Sequence, residues 1–401
     1  MAASPLGGRS LWRSRGLAGL LVAQGISALG SQMTFLALPW FVLATTGSPT
    51  RMGLVLAAEL LPVAVLGILS GSVVARLGGR RTMLVADAAR APLMAAIPAL
   101  HAAGLLSFPL LLVLVACVGA FIAPYVSSQR IVIPELLGDD ETAVSRANAV
   151  VEGTSRLAAL LGPVVAGVLI GLIGAPNVLY VDAATFAVSF AVLALFVPRR
   201  PPVPQEGASR GVLAGLRYIL SHRLLRVLGV TAMLVNGLAM MLVSALPVLA
   251  YDEFDASARV AGGFFAAFGI GAVLGTIAAM PLLGRFAPLR LAAVAFVALT
   301  VPLFALGFDL PVAGVMAVLA LSSFFGPLVN APLMMVLTTR TPEALRPKVM
   351  TALITTAMLA GPLGYLVAGP LLEAWGPNRV ILLVATGQLL ATIPFARVAF
   401  D

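Results

Sequence analysis

Twelve apolar runs of about 20 residues follow one another along the chain, separated by short turns rich in Gly, Pro and charged residues. A helix needs about 20 apolar residues to cross the hydrocarbon of a bilayer, so each run predicts a membrane-spanning helix. Lipid leaves backbone polar groups unsatisfied outside helices and closed barrels, so the fold class predicted is an all-α integral membrane protein. The predicted spans are 17–45, 51–75, 82–103, 108–130, 146–173, 177–197, 224–250, 260–283, 289–307, 311–336, 347–372 and 377–397.

The composition sets the chain apart from soluble globular proteins. Hydrophobic residues make up 60% of it and charged residues only 10%, whereas soluble domains carry about 25% charged residues. Cys117 is the one cysteine, and His101 and His222 are the two histidines. Such an inventory is too poor for a disulfide, a metal site or Ser/His chemistry. We therefore predict a membrane protein that is not an enzyme and holds no metal or cofactor.

The net charge of +9 follows the order of the loops. If the N-terminus is cytoplasmic, 20 of the 25 Lys and Arg residues fall on the cytoplasmic side. Membrane proteins carry such an excess in their cytoplasmic loops, so both termini are predicted to lie inside and the span number to be even. This distribution explains the charge without a nucleic-acid partner. The remaining five are Arg51, Arg259 and Arg379 outside and Arg90 and Arg156 within spans.

A proline-rich basic segment divides the spans into six plus six. It begins "VPRRPPVPQEG" and continues into a stretch with one apolar and one basic face, which predicts a short helix on the inner membrane surface. The predicted parts are an N-terminal six-helix bundle (1–198), a cytoplasmic linker with an interfacial helix (199–223) and a C-terminal six-helix bundle (224–401). Weak echoes between the halves, such as a Gly-Pro pair in spans five and eleven, favour an internal duplication.

Two motifs carry a family resemblance. Residues 71–84 read "GSVVARLGGRRTML", similar to the loop G-x-x-x-D-R-x-G-R-R that follows span two in the major facilitator superfamily. Ala75 stands where the family has aspartate. The stretch "LGPVVAG" of span five resembles the family's antiporter motif. The matching residues are Gly71, Arg76, Gly78 and Arg80 in the loop, and Gly162, Pro163 and Gly167 in span five.

Other stretches, "SALGSQMTFLALPW", "DAARA", "SRANAV" and "VDAATFAVSF", resemble the exporter branch that includes macrolide and enterobactin efflux proteins. The resemblance implies a major facilitator fold of two bundles that expose a central site to each side of the membrane in turn. Small residues allow close helix approach in lipid, so Gly71, Gly162 and Gly167 are predicted to form tight packing faces. The missing aspartate predicts a weaker lock at this loop, or a lock supplied by Asp87 and Glu152.

Charged residues within the spans are costly, which makes them functional candidates. Glu59 has no basic neighbour at helical spacing, and apolar surroundings favour the protonated carboxyl, so reversible protonation is one hypothesis. A permanently protonated, hydrogen-bonded glutamate is the alternative. Asp182 is the second proton-coupling candidate and is placed about one turn inside the outer end of span six. The pairs Asp87 with Arg90 and Glu152 with Arg156 are interpreted as a gating or structural network near the inner mouth.

Polar residues near mid-span, among flexible and aromatic apolar groups, are expected to line the cavity between the halves. Such a wall suits bulky amphipathic ligands better than sugars or phosphates, although each Met or Phe can equally fill a helix contact. The cavity candidates are Gln24, Ser27, Gln32, Phe35, Asn236, Met240, Phe265, Phe268, Phe325, Asn330 and Met334.

The sequence therefore predicts a transporter that exports a hydrophobic or amphipathic small molecule by alternating access, with protons from the membrane gradient moving inward. The alternatives are a lipid or siderophore translocator and a non-transporting membrane sensor. We expect a monomer in a bacterial inner membrane, since 24 Arg against one Lys is typical of a high-GC bacterium.

Overall fold

The computed structural model describes residues 14–138, 140–199, 212–341 and 345–400. Within these residues the chain consists of helices joined by short turns, with no strand. The helices are α1 (Arg15–Thr46), α2 (Pro49–Leu77), α3 (Gly79–Ala102), α4 (Phe108–Ala120), α5 (Ile122–Leu137), α6 (Glu141–Ile173), α7 (Ala175–Phe196), α8 (Val212–Ser221), α9 (Arg223–Glu253), α10 (Ala258–Leu282), α11 (Pro288–Thr300), α12 (Val312–Phe324), α13 (Gly326–Arg340), α14 (Arg346–Trp375) and α15 (Pro377–Phe400).

Eleven helical segments in the described part of the chain are long and apolar enough to cross a membrane. The 30-residue helix α14 occupies the position of the remaining predicted span. Several helices extend beyond the predicted runs, because their polar first or last turns continue the helix past the apolar stretch. For example, α6 begins at Glu141, capped by the Asp140 side chain, and not near residue 146.

Two predicted spans contain a break that the apolar pattern did not indicate. The fourth is divided into α4 and α5 at Phe121, and the tenth into α12 and α13 at Phe325. Pro124 and Pro327 follow these breaks within three residues. A proline ring clashes with the carbonyl four residues earlier and offers no N–H, so the helical hydrogen-bond ladder is interrupted there. The equivalent position of the two breaks agrees with the predicted duplication.

The helices form two groups, one on each side of the predicted linker. In the first group α1 packs on α6 and α7, α3 on α5 and α7, and α2 on α4 and α5. In the second group α9 packs on α14 and α15, α10 on α12, and α11 on α13 and α15. Helix α8, in the predicted linker, places Ile219 against Leu225 and Leu353 of the second group. Residues 200–211 of that linker lie outside the described residues.

Two helix pairs supply most of the contact between the bundles: α2 with α14, and α6 with α10. Glycines bring each pair together. A Cβ on Gly53 would lie 2.6 Å from the Tyr365 carbonyl oxygen and 3.1 Å from Gly369 Cα. A Cβ on Gly167 would lie 2.6 Å from the Ala258 carbonyl oxygen and 3.2 Å from Gly262 Cα. Side chains larger than hydrogen are excluded at these crossings, as in other close helix contacts in membranes.

The successive antiparallel helices give the molecule two ends. The arginine-rich end carries Gly78, Gly138 and the turn at 283–287, together with the end of α7, the start of α9 and the end of α13. The opposite end carries the turns at 47–48, 103–107, 254–257 and 308–311 and Gly174 and Gly376. The arginine distribution predicts the arginine-rich end to be cytoplasmic.

Both interbundle crossings lie toward the opposite end. There Ser48 Oγ and the Thr50 N–H donate to Glu373 Oε2 at 2.8 and 3.1 Å, so an α14 carboxylate binds the first turn of α2. The Trp40 and Tyr251 rings meet edge to face at 5.7 Å between α1 and α9. A carboxylate at a helix N-terminus is stabilised by the free N–H groups and the helix dipole. This end of the molecule is closed.

The same helix faces are open toward the arginine-rich end. Gly71 lies 18 residues after Gly53 on α2, and Gly153 lies 14 residues before Gly167 on α6. At 100° per residue each falls on nearly the same face as its partner. Yet a Cβ on Gly71 or Gly153 would have no described atom within 4 Å. The bundles therefore diverge into a cleft that opens at the arginine-rich end.

Candidate functional site

Asp87, Arg90 and Asp182 are the charged side chains that are buried in the described part of the chain, with exposures of 0%, 5% and 0%. All three lie inside the N-terminal bundle, on α3 and α7. Burying charges in a membrane protein is costly unless each one is paired or hydrogen-bonded. The partners of these three groups therefore define the site.

Asp182 is held by two threonine hydroxyl groups. Thr34 Oγ1 on α1 donates to Asp182 Oδ2 at 2.6 Å. Thr185 Oγ1 lies 2.8 Å from the Asp182 carbonyl oxygen and 3.1 Å from Asp182 Oδ1, so its one proton is shared between these acceptors. Gly30 of α1 leaves the space for this contact, because a Cβ there would meet the Asp182 and Thr185 side chains. Both carboxyl oxygens thus face hydroxyl groups that can donate to them.

Asp87 has one satisfied and one unsatisfied oxygen. Ser189 Oγ on α7 donates to Asp87 Oδ2 at 2.6 Å. Because that hydroxyl proton is used, the Tyr125 hydroxyl at 3.4 Å is the donor to Ser189. Asp87 Oδ1 lies 3.9 Å from Arg90 Nη1 and has no hydrogen-bond partner in the described structure. The ion pair is therefore longer than a hydrogen bond.

Arg90 lies between aromatic rings and not directly on a carboxylate. Its Cζ is 3.8 Å from the centroid of Phe186 and 5.6 Å from that of Tyr125, both within cation–π range. Nη2 donates to Ser31 Oγ of α1 at 3.1 Å, while Nε has no partner among the described residues. The guanidinium also attracts Asp182 electrostatically.

These positions correct the sequence-based placement. Asp87 and Arg90 were predicted near the inner mouth, but Arg90 lies about 16 Å along α3, close to its middle. Asp182 was placed about one turn from the outer end, yet it is about two turns into α7 and fully buried. Neither Asp87 nor Asp182 meets lipid headgroups, since both point into the bundle.

Glu59 is the third carboxyl in the middle of a span. It lies about 15 Å along α2 and is partly exposed. Its carboxyl forms no hydrogen bond or ion pair with the described residues. Arg90 and Asp182 act on it electrostatically, and Glu59 in turn acts on Tyr365 of α14. The sequence offered no basic neighbour on α2 itself, but the fold brings Arg90 toward Glu59 from α3.

Apolar contacts between the bundles close the cleft at the level of Glu59. Phe35 of α1 and Phe265 of α10 meet edge to face, with ring centroids 5.6 Å apart. On the other side, a Cβ on Gly361 would lie 2.7 Å from the Leu60 side chain and 3.7 Å from Met240. These two contacts form what we call the cleft roof. Glu59 adjoins the roof and is the mid-span carboxyl with exposed surface.

The remaining cavity candidates divide into three groups. Gln24 and Ser27 are buried, so their side chains offer almost no surface to the cleft. Gln32 packs against Gly162 of α6. The others are partly or largely exposed at positions that leave a role in the cleft open. They are Asn236, Phe268, Phe325, Asn330 and Met334.

The residues of the basic loop have distinct local roles. Arg80 donates through Nε to the Val197 carbonyl at 2.6 Å and through Nη2 to the Ala194 carbonyl at 2.9 Å. It thus satisfies the carbonyl groups that the C-terminus of α7 leaves free. Gly78 adopts φ +81° between α2 and α3, a conformation that favours glycine. Arg76 is exposed, and the predicted packing face at Gly71 is wrong for this conformation.

The motif of span five does form tight faces. Gly162 contacts Gln32 of α1, and Gly167 contacts α10 across the bundle interface. Pro163 lies between them, and its carbonyl oxygen would be 2.7 Å from a Cβ on Gly262. The predicted pair on α6 is also present, since Arg156 Nη2 lies 2.8 Å from Glu152 Oε1. Both side chains are exposed, so this pair is separate from the buried charges.

Sequence reasoning missed the hydroxyl groups that hold the buried carboxylates. They are Ser31, Thr34, Thr185, Ser189 and the phenol Tyr125. A signal was available, because Asp182, Thr185 and Ser189 fall on one face of α7 at spacings of three and four. Ser27, Ser31 and Thr34 repeat this spacing on α1.

The sequence profile of the Major Facilitator Superfamily matches residues 20–365 of the chain. The chain belongs to this superfamily. The predicted family is thus confirmed. Superfamily membership makes the protein a transporter of a small molecule, and not an enzyme, in a multi-pass membrane setting.

Named relatives fit the predicted exporter branch. The multidrug efflux pump Tap of Mycolicibacterium fortuitum is 28% identical over 383 residues, covering 92% of each chain. The enterobactin exporter EntS of Escherichia coli O1:K1 / APEC is 28% identical over 293 residues, covering 70% of this chain and 68% of the relative. The nucleoside transporter NupG has a similar crystal structure, with a TM-score of 0.76 over 96% of this chain and 99% of that one at 16% identity. This last likeness supports the fold.

Proposed function

We propose that the protein is a secondary active exporter that expels a hydrophobic or amphipathic small molecule in exchange for protons. One observation carries the proposal. A partly exposed, unpaired Glu59 lies beside the roof of a cleft that is open at one end only. A relative matching 92% of the chain is named a multidrug efflux pump, which supports export of drug-like compounds.

The arginine-rich end is proposed to face the cytoplasm of a bacterial cell, with both termini inside. The conformation described above is then open to the inside and closed to the outside. Export requires the reverse movement, in which the glycine crossings and the contact between Glu373 and the first turn of α2 separate. The open faces at Gly71 and Gly153 would then come together on the inner side.

The substrate is proposed to bind beneath the cleft roof. Phe35, Phe265 and Met240 offer aromatic and flexible apolar surface, and Glu59 supplies an acidic group. Such walls accommodate apolar ligands of varied shape. Charged side chains of the described C-terminal bundle lie near helix ends, so acidic chemistry at the centre comes from the N-terminal bundle.

Proton exchange is proposed to use Glu59, with Asp182 as the second candidate. A carboxyl near the roof can take up a proton from outside when the opposite end opens. It can then lose that proton to the cytoplasm through the cleft. The electrical interaction of Glu59 with Arg90 and Asp182 links its protonation to the buried charges.

Drug accumulation in cells tests the proposal. Cells expressing the protein should retain less of some lipophilic fluorescent compound than cells with the empty vector, and a protonophore should abolish the difference. Membrane insertion is verified in parallel by fractionation. Unchanged accumulation over a chemically broad panel, with insertion verified, would contradict the efflux proposal.

Siderophore export is the second candidate, because one relative is named an enterobactin exporter. Deletion of the gene in its host should then lower the siderophore content of medium from iron-starved cultures. Unchanged siderophore release together with higher drug retention would favour the first candidate.

A further inference from the structure

We propose that Arg90 is the common counter-ion of Asp87 and Asp182, and that these two carboxyl groups hold one exchangeable proton between them. Arg90 is in this account a positioning residue, since it acts through the two carboxylates. The inference deepens the proposed proton exchange and rests on it for its place in the transport cycle.

The first observation is the position of the Arg90 guanidinium relative to the residues of α7. Arg90 lies over Phe186, which is four residues after Asp182 and three before Ser189, the donor to Asp87. These spacings are about 6 and 4.5 Å along the helix. The cation therefore lies at the level between the two carboxylates.

The contact of Arg90 with α1 also places the guanidinium close to the level of Asp182. Arg90 donates to Ser31, three residues before Thr34, which donates to Asp182. A guanidinium between two acids can approach one or the other with a small change of its side-chain torsions.

The unsatisfied atoms supply an independent observation. Asp87 Oδ1 and Arg90 Nε are buried and without hydrogen-bond partners in the described structure, although Asp87 Oδ1 lies 3.9 Å from Arg90 Nη1. Buried polar groups in native proteins are nearly always paired, so such atoms call for an explanation. A guanidinium shared with Asp182 explains the incomplete pair, and the free Oδ1 is an oxygen that a proton can occupy.

The charge count decides the number of protons. With both aspartates ionised, the set of Asp87, Asp182 and Arg90 carries one net negative charge in a buried setting. One bound proton makes it neutral. Removing charge from low-dielectric surroundings is favourable, and two carboxylates at levels about 10 Å apart along α7 disfavour joint ionisation in such surroundings. The proton belongs to the pair, as in other coupled sites.

Each carboxyl faces a defined set of titratable and charged groups. Asp87 is faced by Arg90 on its own helix, Tyr125 of α5 and Asp182 of α7. Asp182 is faced by Arg90 of α3 and by Glu59 of α2, while α1 supplies only the neutral Thr34. Glu59 is the third acid that can alter the sharing, so the experiment removes it.

The proton step is balanced without any co-reactant. A hydronium ion gives its proton to a carboxylate oxygen, forming an O–H bond and leaving water. When that carboxyl is neutral, Arg90 balances the other one. Release to water on the other side reverses the step and returns the cation to its shared position.

Infrared difference spectroscopy of the purified full-length protein tests the sharing. The probe is the proton itself, read as the C=O stretch of protonated carboxyl groups during a pH titration. All samples carry Glu59→Gln, so that Asp87 and Asp182 are the mid-span carboxyls left in the described residues. Variants Asp87→Asn, Asp182→Asn, Arg90→Gln and Arg90→Lys are compared in this background.

The expected shifts have opposite signs. Either Asn variant leaves one carboxylate with its own guanidinium, so the remaining carboxyl should titrate at lower pH. Arg90→Gln removes the cation and should raise the midpoint by about 1–3 pH units, the effect of an opposite charge at close range. Arg90→Lys keeps the positive charge, so its titration midpoint should lie close to that of the protein with Arg90. A purely structural Arg90 would not give this sign pattern.

Glu152→Gln, at the exposed pair of α6, is the matched control and should leave the titration unchanged. Three outcomes would each overturn the proposal. The midpoints could shift with the same sign in all variants, they could stay unchanged, or the signal could be lost in one Asn variant while the other is unaffected. If Arg90→Gln does not elute as a single species in size-exclusion chromatography, the isosteric variants Asp87→Asn and Asp182→Asn still test whether the two carboxyl groups share a proton.

The result is independent of export. An intact sign pattern in a protein that exports nothing would contradict the proposed function and leave the shared proton standing. Export by a protein whose variants leave the titration unchanged would contradict the shared proton and leave the proposed function standing.

Discussion

At the residue scale, the mid-span acids of the described structure fall into two environments. Asp87 and Asp182 are fully buried and held by hydroxyl groups, whereas Glu59 is partly exposed and without a hydrogen bond. Arg90 acts electrostatically on all three. We propose that Glu59 meets cleft water and substrate, and that the buried pair responds to its charge.

Glu59→Gln is expected to reduce uphill export to the level of the empty vector while leaving substrate binding intact. The amide keeps the shape and polarity of the side chain but cannot exchange a proton near neutral pH. Accumulation in energised cells measures the first effect, and fluorescence titration of a lipophilic dye with purified protein measures the second.

The control for this variant is Glu152→Gln, which changes an exposed acid of α6 and should export normally. Full uphill export by Glu59→Gln would remove Glu59 from the coupling mechanism and leave Asp182 as the candidate.

Sequence reasoning found the mid-span charges and the pair Asp87 with Arg90, but not the partners on other helices. Asp87, Arg90, Asp182 and Glu59 stand out because charge is rare in apolar runs. The contact of Thr34 with Asp182 joins residues 148 positions apart, and helix periodicity within one span cannot indicate it. The depth of Asp182 was also misjudged, because α7 begins at Ala175 and the apolar pattern gives helix ends only approximately.

At the scale of the elements, paired glycines hold the closed end together. Gly53 faces Gly369 between α2 and α14, and Gly167 faces Gly262 between α6 and α10. The contact of Glu373 with the first turn of α2 adds a polar link between α14 and α2 at the same end. The helices thus behave as units whose same faces touch at one end and separate at the other.

Gly167→Ala is expected to weaken the closed opposite end. The new methyl group would lie 2.6 Å from the Ala258 carbonyl oxygen, which is backbone and cannot rotate away. Overpacking of this kind costs about 1–3 kcal/mol, and about 1.4 kcal/mol changes a conformational ratio tenfold. Spin labels at Ala103→Cys and Asp309→Cys, in a Cys117→Ser background, should report more of the longer distances between the bundles.

Gly153→Ala is the matched control for this change. It lies on nearly the same face of α6 and gains the same helix propensity, but its Cβ would meet no described atom within 4 Å. It should leave the label distances at the opposite end unchanged. Equal distance distributions for Gly167→Ala and the unsubstituted protein would contradict the role of the crossing.

The helices themselves were largely predictable, because about 20 apolar residues between turn signals suffice to mark a span. The packing contacts of the motif glycines were predicted correctly in span five but not in the basic loop. Gly162 and Gly167 form the expected contacts, but Gly71 faces the open cleft, since one conformation satisfies only one of the two ends. The breaks at Phe121 and Phe325 had a visible cause in Pro124 and Pro327, yet apolar runs mask it.

At the scale of the whole molecule, two bundles meet near one end and enclose a cleft that opens at the other. The arginine distribution assigns the open end to the cytoplasm, and this orientation stays a prediction. Together with a roof of apolar side chains and an adjacent acid, it leads to the account's central claim. We propose that the protein moves an amphipathic compound outward while protons move inward.

Transport by purified protein in liposomes, driven by an imposed pH gradient, tests that claim most directly. The two orientations in which the protein can insert into the liposome membrane are distinguished by protease digestion of the linker. A chemically diverse panel of fluorescent lipophilic compounds is then screened. A compound should move uphill against a proton flux of opposite direction, and substrate alone should drive measurable proton movement. Glu59→Gln should abolish both. Uphill movement that ignores the pH gradient, or no movement of any compound by correctly inserted protein, would contradict the account.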